Sequence, residues 1–359
     1  MSNTYNNFVP DYVVTPGEVL NEYLEDAVMT QAELADRTGL AKKTINEIIN
    51  DKSPITPETA LKLERTLGRP ACFWSSLERQ RQDDKARIAE RKHMESYLQW
   101  LDNIPVANMA KLGWIRKLKD KVEQLEEVLR FFGIASPEQW DAVWSNNLGV
   151  VYRQTQKQDK RIEIISAWLR RGEIEAQNAQ CALYNRKVFQ DILDKIRGLT
   201  REKDPEVFVP NLIDLCASVG VLVIFVPALT NLGIYGATRW IGNKPVIQLS
   251  LYLKSNDHLW FTFFHEAGHI LLHGRRGVFL EGSQLDNKKE DEADTFAQDK
   301  LIPPVHLQRL IQNGKPSLAD IERFAESINI APGVVVGRLQ WSKILPRDTG
   351  NHLKVFYHW

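Results

Sequence analysis

The run Phe261-Thr262-Phe263-Phe264-His265-Glu266-Ala267-Gly268-His269-Ile270-Leu271-Leu272-His273 sets two histidines four positions apart inside an otherwise apolar stretch. On an α-helix, residues four apart project from one face, one turn apart. That separation lets two imidazoles share a single Zn²⁺. Glu266 falls about 100° round the helix from His265, within reach of a water at the metal without ligating it. A chance His-Glu-x-x-His is expected in about one chain in a hundred of this length, so the five residues alone are a moderate signal. The aromatic and aliphatic flanks strengthen it. They predict a buried helix, where two histidines and a glutamate are costly unless used.

Catalytic zinc commonly takes three protein ligands and a water, so a third ligand is expected on a following element. The stretch Glu290-Asp291-Glu292-Ala293-Asp294-Thr295-Phe296-Ala297 has apolar residues at helical spacing and ends before Pro303-Pro304. Glu290 and Asp294 lie one turn apart, so one carboxylate can bind the metal while the other orients a ligating imidazole. Glu292 is a rival ligand that helical phase does not exclude. With Zn²⁺ bound, Glu266 would take the proton of the attacking water and pass it to the leaving amine. A second oxyanion donor is expected, with Tyr235, Tyr252 and His258 as candidates that the sequence does not rank.

The elements that must position this chemistry come just before it. A helix is expected over Asn211–Ser218 and a buried strand over Val221–Val226, with further strands over Gly233–Thr238 and Pro245–Leu251. Strands leading into a zinc helix suit a fold in which an edge strand holds an extended substrate beside the metal.

The N-terminal part is built differently. Thr15-Pro16-Gly17-Glu18 predicts a helix start with Thr15 as N-cap, Pro16 at N1 and Glu18 closing a capping box. Thr30-Gln31-Ala32-Glu33 repeats the pattern and opens a short helix that stops at Gly39. A second short helix follows from Ala41 to Asn50, burying Ile45, Ile48 and Ile49. Another starts at Thr56-Pro57-Glu58, with Leu61, Leu63 and Leu67 as its apolar positions. Two short helices around one glycine have the layout of a helix-turn-helix. The helix after the turn leaves Lys42, Lys43, Thr44 and Asn46 facing outward, able to meet phosphates and base edges in a major groove. Gln31, at the preceding helix N-terminus, is placed for a backbone phosphate.

From Leu77 to Asp204 the chain is charge-rich and helical in period. Gln80–Glu95 is expected as an exposed connecting helix, Ser136-Pro137 as a helix start, and Ile162–Ala179 as a long helix. Trp100, Trp114, Trp140, Trp144 and Trp168 are expected to pack rather than to bind a ligand. The pair Arg170-Arg171 reads as a solvated face. This segment alone indicates no function beyond a partner or dimer surface.

The chain has 359 residues, enough for two or three cores. Its 46 lysines and arginines balance 46 aspartates and glutamates, so any nucleic-acid surface must be a local patch. Cys72, Cys181 and Cys216 have no paired spacing, which excludes a disulfide framework or a cysteine zinc site. The opening residues, Met1–Val14, lack a signal-peptide layout. The longest apolar run, Val219–Leu229, is too short to span a bilayer. A cytoplasmic location is expected.

Two resemblances cover most of the remaining ground. Pro16–Leu20, Thr30–Ala35, Thr44–Asn50 and Phe73-Trp74 resemble the Xre-type repressor domain, particularly the version in HigA-like antitoxins, over residues 12–80. Phe261–His273, Glu290–Ala297 and Leu301-Ile302-Pro303 resemble the ImmA/IrrE family of zinc-dependent endopeptidases, over about residues 205–340. The second resemblance implies His265, His269 and Glu290 as zinc ligands, with Asp294 behind them and His273 outside the ligand set. The tail over Ile330–Gln340 is similar to the end of fusions of these two families.

The expected architecture is therefore mainly α with a C-terminal α+β domain. Residues 1–80 form a five-helix, lambda-repressor-like helix-turn-helix domain, 81–204 a helical middle region, and 205–359 a small-sheet, zincin-like (gluzincin-type) metallopeptidase domain with a helical tail. The function expected is that of a DNA-binding transcriptional regulator whose zinc endopeptidase cleaves a protein partner, such as a repressor or toxin. The alternatives are a HigA-like antitoxin or autorepressor whose zinc domain binds a partner or senses a signal without cutting, and a purely structural zinc. A double-stranded operator is the expected DNA partner. A homodimer is expected from the two-fold symmetry of most such operators.

Overall fold

The computed structural model describes residues 13–145, 161–250, 252, 254–274, 279–280, 287–312 and 314–357. Residues 1–12 of the Met1–Val14 reading and Leu251 of the expected third strand lie outside them. The chain divides into two compact units, Met1–Leu98 and Gln99–Trp359.

Among the described residues the first unit holds five helices: α1 (Pro16–Asp26), α2 (Gln31–Thr38), α3 (Lys42–Ile49), α4 (Pro57–Leu67) and α5 (Ala71–Glu95). The Thr15 capping box forms as expected: Glu18 N–H donates to Thr15 Oγ1 (3.1 Å) and Thr15 N–H to Glu18 Oε2 (2.9 Å). Thr30 and Thr56 likewise accept from the third N–H of their helices. Gly39 ends α2 at φ 65°, the left-handed cap that lets α3 turn back across α2.

Leu20, Leu34, Ile45, Ile48, Leu63 and Trp74 fill a core with almost no exposure. Gly17 lies so close to α3 that a Cβ there would sit 2.2 Å from the Ile48 carbonyl oxygen. Leu61, expected to face inward, is 46% exposed, because Ala60 takes the inner position of α4. The connecting helix expected over Gln80–Glu95 is the outer part of α5, which runs without a break from the core residue Trp74.

In the second unit, helices α6 (Lys121–Phe132), α7 (Arg161–Asn178), α8 (Arg186–Gly198) and α9 (Pro205–Ala217) precede a sheet of β1 (Leu222–Phe225), β2 (Gly236–Ile241) and β3 (Lys244–Leu249). Helix α10 (Asn256–Leu272) follows, then a two-residue strand β4 (Phe279–Leu280). The chain closes with α11 (Asn287–Leu301), α12 (Pro304–Ile311), α13 (Leu318–Ser327) and α14 (Pro332–Trp341). Strand order is β1-β3-β2-β4, with β1 parallel to β3 and the other pairs antiparallel.

Alternate residues of the strands enter two different cores. Val223, Ile247 and Leu249 pack with Trp260, Phe263 and Phe264 of α10. Leu222, Ile224 and Val246 pack with Trp168 of α7 and with Phe132, Trp140 and Trp144. Both faces are apolar because both are covered, which explains why the strands read as continuous apolar runs rather than clean alternation. Polar pins fix the second face: Gln248 Nε2 donates to the Trp168 carbonyl (2.7 Å), Trp168 Nε1 to that of Val226 (3.2 Å), and buried Arg239 to that of Leu169.

Arg170, expected in solvent, instead donates through Nε to the Phe131 carbonyl (2.8 Å), where it ties α7 to α6. Each pin satisfies a backbone acceptor that would be costly to bury alone. Strand β2 starts at Gly236 rather than Gly233, and α9 starts earlier than expected, capped by Asp204. Among the described residues no helix is long and apolar enough to cross a membrane.

Candidate metal centre and helix-turn-helix surface

Helix α10 is buried along almost its whole length, from Leu259 to Leu271. Glycine at 268 allows α11 to lie directly against it. A Cβ at that position would sit 3.1 Å from Phe296 Cδ1 and 3.3 Å from Ala293 Cα. This close approach brings the acids of α11 over the histidines of α10.

The geometry sorts those acids. His265 Nε2 and His269 Nε2 lie 3.0 Å apart, and Glu290 stands over both, with Oε2 3.2 Å from the first and Oε1 3.5 Å from the second. Ligand atoms of these three residues all lie within 4.8 Å of one another. Tetrahedral Zn²⁺ with bonds near 2.0–2.1 Å sets its ligand atoms about 3.3 Å apart, so the spacing fits. Asp294 Oδ1 accepts from His265 Nδ1 at 2.8 Å, which leaves the Nε2 lone pair aimed at the cluster. Glu292 is not in the cluster. Its carboxylate accepts from His273 Nε2 (3.0 Å), while His273 Nδ1 lies 3.0 Å from His269 Nδ1. Placing the proton on His269 Nδ1 completes this chain and turns the Nε2 lone pair toward the cluster. Burial, then the fields of His265 and His273, push His269 down to about 2, so its ring is neutral as a ligand must be.

Glu266 is fully buried on the same helix. Its carboxylate lies against the start of β2, where a Cβ on Gly236 would meet Glu266 Oε1 at 2.6 Å. Thr238 Oγ1 donates to the Glu266 carbonyl (3.0 Å) and so ties β2 to α10 at that turn. Tyr235 precedes Gly236 and its ring stands 6.0 Å from that of Tyr252, while His258 is exposed one turn before Thr262. Sequence reasoning missed the Glu292–His273 pair and the two glycines. Their only signal was the small residue inside each motif.

In the first unit Lys42, Lys43 and Asn46 are exposed on α3, while Thr44 and Gln31 are half-buried. Lys43 lies 3.7 Å from Glu47, an exposed i,i+4 pair of little strength.

Residues 20–74 match the helix-turn-helix family model, and residues 216–340 match that of the IrrE N-terminal-like domain of the M78 peptidases. The chain thus joins an Xre-like helix-turn-helix DNA-binding domain to an M78 peptidase-like domain. No curated protein matches it. Among solved structures it is similar to the Pseudomonas aeruginosa antitoxin HigA with higBA promoter, at 28% identity over 24% of this chain and 94% of that one, TM-score 0.23. An addiction-module antidote protein of a HigA family from Coxiella burnetii is 27% identical over 23% of this chain and 92% of that one, TM-score 0.22. An antidote protein of a plasmid maintenance system from Nostoc punctiforme is 31% identical over 24% and 93%, TM-score 0.22.

Proposed function

We propose that this protein is a DNA-binding regulator, acting as a cytoplasmic homodimer, whose C-terminal domain is a zinc-dependent endopeptidase that cleaves a regulatory protein partner. In this reading residues 1–80 bind the operator, 81–204 form a helical middle region whose Phe132 and Trp168 back the sheet, and 205–359 carry the peptidase. His265, His269 and Glu290 hold the metal, and Asp294 orients His265. Zn²⁺ at that position would supply Lewis acidity, acidifying water and polarising a peptide carbonyl. Glu266 accepts the proton of the water that adds to the scissile carbonyl carbon. It returns that proton to the amide nitrogen as the C–N bond breaks, giving a carboxylate and an amine.

The observation that carries the reading is Glu266 itself. A fully buried carboxylate adjoins the convergent histidines yet is not one of the three grouped ligands, and a structural zinc needs no such base. The HigA-like alternative, partner binding without cleavage, is the other outcome of one comparison. Wild type and Glu266→Gln are assayed for zinc content and for cleavage of co-expressed neighbouring proteins. The expected result is equal zinc with cleavage only in wild type. Equal zinc and an equal biological effect in both would remove proteolysis and leave the alternative.

A further inference from the structure

Two adjoining cavities lie near the candidate metal centre. The first, of about 230 Å³, has apolar walls from Tyr235, Phe261, Leu301, Ile302 and Val334. Three links place it beside the centre. The Phe261 ring stands 6.2 Å from that of His265, one turn on. Gln298, on its wall, is one turn from Asp294, which holds His265. Tyr235 precedes Gly236, which abuts Glu266.

The second cavity, a cleft of about 1480 Å³, shares Asp257, His258, Gly337 and Trp341 with the first. Lys254, Lys315, Lys343 and Arg347 line it, all exposed and none with a carboxylate within ion-pair distance among the described residues. The one acid among its described lining residues, Asp257, is already held by Lys354 at 2.6 Å. Arg338 stands at the junction, its guanidinium 5.1 Å over the Trp341 ring and its Nε without a hydrogen-bond partner among the described residues.

We propose that this groove selects a peptide segment in which a bulky apolar side chain stands among acidic residues. The apolar side chain fills the cavity beside the metal centre, and the acids lie in the cationic cleft. This rests on the reading of the centre as a peptidase and names its substrate class. The apolar walls reward a leucine- or phenylalanine-sized group. The unpaired cations reward carboxylates and repel lysines, so the cleft sets preference more by repulsion than by strength. Trp341 and Phe356, 63% and 59% exposed, could also stack nucleobases. The continuity of the cleft with an apolar cavity at a peptidase-like centre favours a peptide.

The test uses full-length Glu266→Gln protein, so that cleavage does not consume the ligand, and fluorescein-labelled peptides read by anisotropy. One peptide carries a central leucine flanked by glutamate pairs; the second has lysines for the glutamates; the third has alanine for the leucine. The first should bind at least about tenfold more tightly than either other, and more weakly as salt rises. Adding Lys343→Glu with Arg347→Glu, both exposed, should leave the circular dichroism spectrum unchanged and abolish the preference for glutamate over lysine.

Equal binding of the three peptides, no binding, or an unchanged preference in the charge-reversed protein overturns the proposal. So does an oligothymidylate that outcompetes the peptide and is lost on charge reversal, which would assign the cleft to nucleic acid. Zinc-loaded wild type given the same peptides separates the two readings. Equal cleavage of the lysine and glutamate peptides leaves the peptidase standing without the groove. Selective binding with no cleavage leaves the groove without the peptidase.

Discussion

The two nitrogens of His265 do different work, and that division sets the ranking of the acids on α11. Nδ1 is taken by Asp294 at 2.8 Å, so Nε2 is the nitrogen available to a metal, and Glu290 is the acid beside it. Glu292 acts one step further out, through His273 on His269. Losing a direct ligand should cost far more than losing an outer partner, whose removal typically costs 10–100-fold in metal affinity. Glu290→Ala is therefore expected to lower zinc affinity well beyond about 100-fold, and Glu292→Ala by about 10-fold, measured by competition with a chromophoric chelator. Equal losses in the two variants would mean that the ligand has been misassigned. Spacing alone pointed to the turn from Glu290 to Asp294 and left Glu290 and Glu292 open, with only the family resemblance favouring Glu290. The missing information was the rotation of α11 against α10, which no periodicity within α11 contains.

That rotation is decided by elements in contact. Gly268 lets α11 pack on α10 through Ala293 and Phe296, and Gly236 lets β2 pack on Thr262 and Glu266 of α10. The existence of both helices was legible from His-Glu-x-x-His and from the apolar spacing of Ala293, Phe296, Ala297 and Leu301. The start of β2 was not, since Ile234 and Tyr235 have strand-like side chains but precede the ladder, Ile234 packing into the core with Trp168 and Tyr235 lining a cavity. Likewise the burial of Arg170 depends on a carbonyl 39 positions away, beyond any local pattern.

A methyl group tests the β2 contact. In Gly236→Ala the new Cβ would stand 2.6 Å from Glu266 Oε1 and 2.7 Å from Thr262 Cγ2, so something must move. Overpacking of this kind costs about 1–3 kcal/mol of stability. The displaced group is Glu266 rather than a ligand, so peptide cleavage should fall steeply while zinc content stays near one per chain. Loss of zinc in parallel with activity would show that the strand supports the whole centre and not Glu266 alone. The oxyanion donor yields to a similar argument. Tyr235 is the candidate joined to Gly236, and Tyr235→Phe is expected to lower kcat by about 10²-fold with KM little changed, the usual loss for one such donor. An unchanged kcat would remove Tyr235 from the chemistry.

At the scale of the molecule, the two functions rest on two separate cores. Leu20, Leu34, Ile45, Leu63 and Trp74 hold the helix-turn-helix, and a different set of residues surrounds α10. The capping threonines of α1, α2 and α4 and the glycine turn made much of the first unit legible, because these helices are short and announce their own starts. The second unit was legible at its motifs and much less in how the earlier helices cover the sheet, because that packing joins residues 58 to 80 positions apart.

Separate cores predict separable losses. Lys43→Ala with Asn46→Ala removes an exposed cation and an exposed amide from α3, and neither side chain helps fill the core. Operator binding should be lost to the level of non-specific DNA, and the dependence of the residual binding on salt should weaken by about one counterion for the missing lysine. Thermal stability should change by less than about 0.5 kcal/mol, as for surface sites away from special contacts. Zinc content and peptide cleavage should match wild type, while Glu266→Gln should show the reverse pattern, with full operator binding and no cleavage. Gel-shift titrations over a salt series, run beside metal analysis of the same samples, measure both. Retained sequence-specific binding in the double variant would place the DNA contact on another face of the first unit.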